Sequence, residues 1–174
     1  MAIPTLDFGE LSLRDALDLA VLIEEESKER YEELANQMLI HRNLEAERFF
    51  WKMVQIELTH ERKLSFRRKR LFHHEPVRVT RAMLFDVEAP EYDQVRATMS
   101  VREALGVALS AEKKAYAFFE TTLPAVKDPQ ARELFTELRN EELEHCGMVE
   151  AELARLPPEP MMTTDDFADE PVAH

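Results

Sequence analysis

A chain of 174 residues, 45% hydrophobic and 33% charged, suits one compact domain with a sizeable core. Its formal charge of −13 argues against nucleic acid as the ligand, since binding phosphates needs a basic face. No apolar run approaches the roughly 20 residues that cross a bilayer, and the first residues lack the basic flank and apolar centre of a signal peptide.

Cysteine usage points the same way. Cys146 is the single cysteine and cannot close an internal disulfide, so the expected setting is the reducing cytoplasm, with Cys146 a small core residue. Glycine occurs three times, while Ala, Leu, Glu, Arg and Met fill long stretches. These are good helix formers, so an all-α fold is expected.

Four helical segments follow in chain order. The first is expected from Leu13 to Leu39, opened by Ser12 with Asp15 at capping-box spacing. The second runs from Leu44 to Phe72 behind Asn43 as cap. The third starts at Ser100, whose box partner is Glu103, and runs to about Val126. The fourth opens with Asp128-Pro129, a cap followed by proline at the first helical position, and ends near Leu156 before Pro157-Pro158.

Short links between the first and second segments, and between the third and fourth, predict two antiparallel helical hairpins. Residues 73–99, with Pro76 and Pro90, form a connection too long for a simple turn. It fits a crossover that travels the length of a four-helix bundle. The expected domain is therefore 1–156, and the acidic, proline-bearing stretch 157–174 reads as a disordered tail.

Each segment carries a stripe with spacings of four and three, the pattern of a face packed inward. The stripes are Leu13, Leu17, Ala20, Glu24, Ser27, Tyr31, Leu34, Met38 in the first segment and Ala46, Phe50, Met53, Glu57, His60, Leu64 in the second. The third reads Leu105, Ala108, Glu112, Ala115, Phe119, and the fourth Ala131, Phe135, Leu138, Glu142, His145, Val149. All four are apolar at the ends and acidic in the middle. Glu24 and Glu112 each lie twelve residues after their caps, Glu57 and Glu142 fourteen after theirs, so the four carboxylates fall at matched heights.

Buried carboxylates are costly unless paired or bound to metal, and no Lys or Arg falls on these inward positions. Two divalent cations would balance four carboxylates and two neutral imidazoles. The expected ligands are Glu24, Glu57, His60, Glu112, Glu142 and His145, with each Glu-x-x-His pair on one helix face able to hold one ion. Oxygen-rich ligation with one imidazole per ion suits iron, with manganese as the alternative. An internal repeat relates the halves: the stretch from Ala16 resembles that from Ala104, aligning Glu24 with Glu112 and Tyr31 with Phe119, and Phe50…Glu57…His60 aligns with Phe135…Glu142…His145.

Other features read more plainly. Tyr31, seven residues after Glu24, is a near-site redox or hydrogen-bonding residue or else core packing. The run Arg67-Arg68-Lys69-Arg70 complements the dipole at a helix end. His73 and His74 read as exposed loop residues, and Glu25, Glu26, Glu141 and Glu144 as a solvated face.

At Glu24-x6-Tyr31, Glu57-x-x-His60, Glu112-x6-Phe119 and Glu142-x-x-His145 the chain resembles the rubrerythrin branch of the ferritin-like superfamily. The resemblance implies a ferritin-like four-helix bundle with two Fe ions, reducing hydrogen peroxide or dioxygen while Fe(II) is oxidised. It also implies pairing into a homodimer. A non-catalytic iron-storage or cargo role is the alternative. Members of that branch carry a rubredoxin domain with paired Cys-x-x-Cys motifs, which this sequence lacks, so electrons are expected from a separate donor protein or from substrate iron. They also carry a further glutamate where this chain has Ala115, whose repeat mate is Ser27, leaving a six-ligand set nearer to ferritins.

Overall fold

The structure, a computed structural model, describes residues 6–83, 90, 96 and 98–158. Four helices carry the fold: α1 (Leu13–Ile40), α2 (Leu44–Phe72), α3 (Val101–Thr122) and α4 (Pro129–Arg155). Two single 3-10 turns, Phe8–Glu10 and Arg81–Met83, flank them, and no strand occurs among the described residues. Of the tail expected from 157, only Pro157 and Pro158 fall within the described residues.

The caps explain where the helices start. Ser12 accepts from the Asp15 amide at 3.2 Å, but its hydroxyl also donates to Asp15 Oδ2, so that box is not reciprocal. Ser100 and Glu103 form the full box, with the Ser100 amide donating to Glu103 Oε2 at 2.6 Å and the Glu103 amide to Ser100 Oγ at 3.2 Å. Asn43 Oδ1 accepts from the Ala46 amide, and Asp128 Oδ1 accepts from the amides of Gln130 and Ala131. α3 stops at Thr122, short of the expected Val126. Pro124 has no amide hydrogen to continue the ladder, and the chain closes instead through the Ala125 amide to the Thr122 carbonyl at 2.9 Å.

Contacts at the helix ends settle the topology. Arg14 at the start of α1 pairs with Glu75 just past the end of α2, so α1 and α2 are antiparallel. Arg102 at the start of α3 donates to the Leu156 carbonyl past the end of α4, so α3 and α4 are antiparallel too. The Asn43 side chain donates to the Met99 carbonyl at 2.6 Å, which puts the starts of α2 and α3 side by side. Those two helices are therefore parallel, and the connection from Phe72 must climb the length of a 29-residue helix, about 43 Å, to reach Ser100. On the way it is tied to α1: Arg81 pairs with Glu29, Arg30 donates to the Pro90 carbonyl, and Val79 is buried.

The core divides into two apolar blocks. Leu17, Ala20, Leu64, Phe119, Phe135 and Leu138 belong to one, and Tyr31, Leu34, Met38, Phe50, Met53 and Ala108 to the other. The acidic middles of the stripes lie between them. Burying each large side chain stabilises the fold by about 1.5–3 kcal/mol, so both ends are firmly closed.

One member of the basic run departs from the dipole reading. Arg68 is 8% exposed, its Nε donating to Asp18 Oδ1 at 2.7 Å and its Nη2 to the Glu75 carbonyl at 2.8 Å. Arg67 pairs with Glu137 on α4, while Lys69 and Arg70 stay exposed in the last turn of α2. A buried pair like Asp18–Arg68 is fragile to loss of one partner. Arg68→Ala should lower the unfolding free energy by about 3 kcal/mol in chemical denaturation, and Asp18→Leu with Arg68→Met should recover most of it. A double variant no more stable than the single one would show that the stranded charge is not the cause.

Candidate metal centre

Mid-helix position places the four carboxylates, and the apolar blocks on either side keep water from them. Glu24, Glu57, Glu112 and Glu142 are each no more than 3% exposed. His145 is also buried, whereas the His60 side chain is 18% exposed and sits at the rim. The cations on adjacent turns are used elsewhere: Lys28 pairs with Glu61, Lys63 with Glu141 and Arg68 with Asp18. Glu25 pairs with Arg81 and is half-buried like Glu26 and Glu141, and Glu144 is exposed, in keeping with a solvated face. His73 and His74 are both exposed.

Two ligand groupings emerge. One oxygen each of Glu24 and Glu57 and a nitrogen of His60 lie within 4.8 Å of one another. Oxygens of Glu57 and Glu112 and a nitrogen of His145 form a second set on the same criterion. Glu57 belongs to both. The sequence pairing put Glu142 with His145 on one ion; Glu142 Oε2 is indeed 3.5 Å from His145 Nδ1, but Glu57 is the carboxylate that completes the tighter set. Spacing along one helix could not reveal that a carboxylate of the other hairpin reaches across.

Hydrogen bonds orient the second grouping. His145 Nδ1 lies 3.1 Å from Glu112 Oε2, and the Tyr31 hydroxyl donates to Glu112 Oε1 at 3.1 Å. Tyr31 is fully buried, its ring stacked on Phe50 at 6.2 Å, which fixes the hydroxyl. Its ring thus packs in the core while its oxygen hydrogen-bonds to a carboxylate of the centre. The imidazoles of His60 and His145 stack at 4.9 Å and 6°, linking the two groupings.

Burial and close neighbours shift the titration of the groups gathered here. Burial pushes the Glu24 carboxyl up to about 7, against a hydrogen bond with Glu57 and the field of His145, which both pull it down. Burial, then the neighbouring His145, lowers His60. Burial would lower His145 as well, but its bond to Glu112 and the surrounding carboxylates outweigh that and raise it. Glu24 Oε2 makes no hydrogen bond among the described residues and lies 3.8 Å from His60 Nδ1. Hard, oxygen-rich donors with one imidazole on each side, and a buried Glu24 oxygen that makes no hydrogen bond among the described residues, fit a pair of divalent cations.

Similarity to other proteins agrees with this geometry. The family model described as Rubrerythrin matches residues 15–153. A solved structure, that of an uncharacterised conserved protein from Magnetospirillum magnetotacticum MS-1, is similar at a TM-score of 0.65 and 25% identity, covering 87% of this chain and 99% of that one. No curated protein matches the chain.

Metal binding here must displace protons, because ligands coordinate in their deprotonated forms. Burial pushes the Glu24 carboxyl up to about 7, so without metal it carries a proton at pH 6 that it has largely lost by pH 8. Calorimetric metal titration in two buffers of different ionisation enthalpy should show proton release falling from pH 6 to pH 8. A release that is flat or rises over that range would contradict a Glu24 carboxyl raised to about 7.

Proposed function

Since the chain belongs to the rubrerythrin family, whose model spans nearly all four helices, we propose that it is a non-haem di-iron protein that reduces hydrogen peroxide or dioxygen as Fe(II) is oxidised. The observation that carries this is the shared carboxylate, Glu57, standing between two ligand groupings in a closed apolar bundle. In this reading Glu24, Glu57 and His60 hold one ion, and Glu112, Glu142 and His145 hold the other with Glu57 reaching both. Iron is the proposed metal, with manganese as the alternative. When bound, the pair supplies two electrons per turnover to a small oxidant.

The protein's own groups have distinct tasks. Glu57 ties the two half-sites together, so the ion on the α3–α4 side also depends on a carboxylate of the α1–α2 hairpin. Tyr31 steadies Glu112 through its hydroxyl, a bond to a charged acceptor worth about 1.5–3 kcal/mol. The two apolar blocks exclude bulk water, which strengthens electrostatic interactions inside. His60, at the rim, marks the side on which the centre comes nearest to solvent. Cytoplasmic location, assembly into a homodimer and a separate electron-donor protein belong to the proposal; no described helix is long and apolar enough to cross a membrane.

Two measurements test this. Metal analysis should give two irons per chain in the wild type; Glu24→Ala should lose about one, and Glu57→Ala both. Equal loss in the two variants would deny Glu57 its shared role. Rapid mixing of the Fe(II)-loaded protein with peroxide or dioxygen should show oxidation faster than that of free Fe(II), and no acceleration with either oxidant would refute the proposed activity.

A further inference from the structure

Ser27 lies on α1 three residues after Glu24 and four before Tyr31, which places all three on one face of the helix. Both neighbours end at the centre: Glu24 is in reach of Glu57 and His60, and Tyr31 donates to Glu112. Ser27 itself is completely buried, and among the described residues its Oγ has no hydrogen-bond partner. That is unusual for a hydroxyl inside a helix, which ordinarily turns back onto the carbonyl four residues earlier. Thr59, Thr121, Thr122 and Thr136 all do so in this chain.

The adjacent carboxylate does not take up this hydroxyl, and Glu24 Oε2 likewise makes no hydrogen bond among the described residues. A buried hydroxyl without a partner is destabilising, so a residue of this kind in a closed core points to a ligand that completes it. Its counterpart under the internal repeat is Ala115, also fully buried, so the same height on α3 carries no polar atom. Only one side of the pseudo-symmetric centre therefore presents a hydroxyl at this level, while both side chains are small.

From this we infer that Ser27 is a positioning residue for a small, hydrogen-bond-accepting ligand of the dimetal centre, such as water, hydroxide or the oxidant, with Oγ as donor. The inference rests on the di-iron reading above and adds the residue that orients what the ions bind. Tyr31 is committed to Glu112, which leaves Ser27 the hydroxyl on this face of α1 that is open to an incoming group.

Azide serves as the probe, binding to the iron-loaded, oxidised protein and followed by its charge-transfer absorption. Ser27→Ala should keep two irons per chain and weaken azide about five- to tenfold, the loss expected for one hydrogen bond. The metal-free variant should melt at the wild-type temperature or above it, because an unpartnered hydroxyl has been removed. Unchanged azide affinity, absence of azide binding by the wild type, or a lowered melting temperature of the metal-free variant would each overturn the role of Ser27 while leaving the di-iron reading intact. A wild-type protein that binds no iron would end both.

Discussion

Like charges held together out of water set the terms for this bundle. Four glutamates at the middle of four helices repel one another and lose hydration at once, and burial already drives Glu24 up to about 7. Such an arrangement persists only if the rest of the molecule is stable enough to impose it and something positive compensates it. The first condition is met by the apolar blocks on either side, rich in fully buried Phe, Leu and Met. For the second, the chemistry of the donors suits divalent cations.

The chain path serves the same end. α2 and α3 run parallel, so the chain between them has to return over the length of a helix before α3 begins. Contacts from the helices fasten its described residues: Arg14 pairs with Glu75, Arg68 donates to the Glu75 carbonyl and Arg81 pairs with Glu29. Several basic residues are thus spent on the crossover and on links from α2 to α4, such as Lys63 to Glu141 and Arg67 to Glu137. Cations kept at the periphery leave the centre free for metal.

Duplication gives the centre its outline, and the differences between the halves give it direction. Tyr31 and Phe119 occupy matching places, but only Tyr31 can donate to Glu112. Ser27 and Ala115 match likewise, with a hydroxyl on one side alone. His60 sits at the rim while its mate His145 is buried against Glu112. A symmetric set of candidate ligands is thereby placed in an asymmetric surrounding, with His60 nearer to solvent and His145 buried.

Much of this was legible in the residues alone. Four-three periodicity and the caps at Ser12, Asn43, Ser100 and Asp128 located the helices, because both signals are local to a few turns of one helix. The six candidate ligands were legible for a related reason: a carboxylate inside an otherwise apolar stripe stands out against its own helix, and the repeat supplied the partner. What the sequence could not determine were relations between helices. Glu57 joining both groupings, Asp18 meeting Arg68, Tyr31 choosing Glu112 and Ser27 finding no partner among the described residues each depend on where a side chain of another helix ends. Sequence spacing measures distance along one axis, and only the packing of the four axes decides what meets across them.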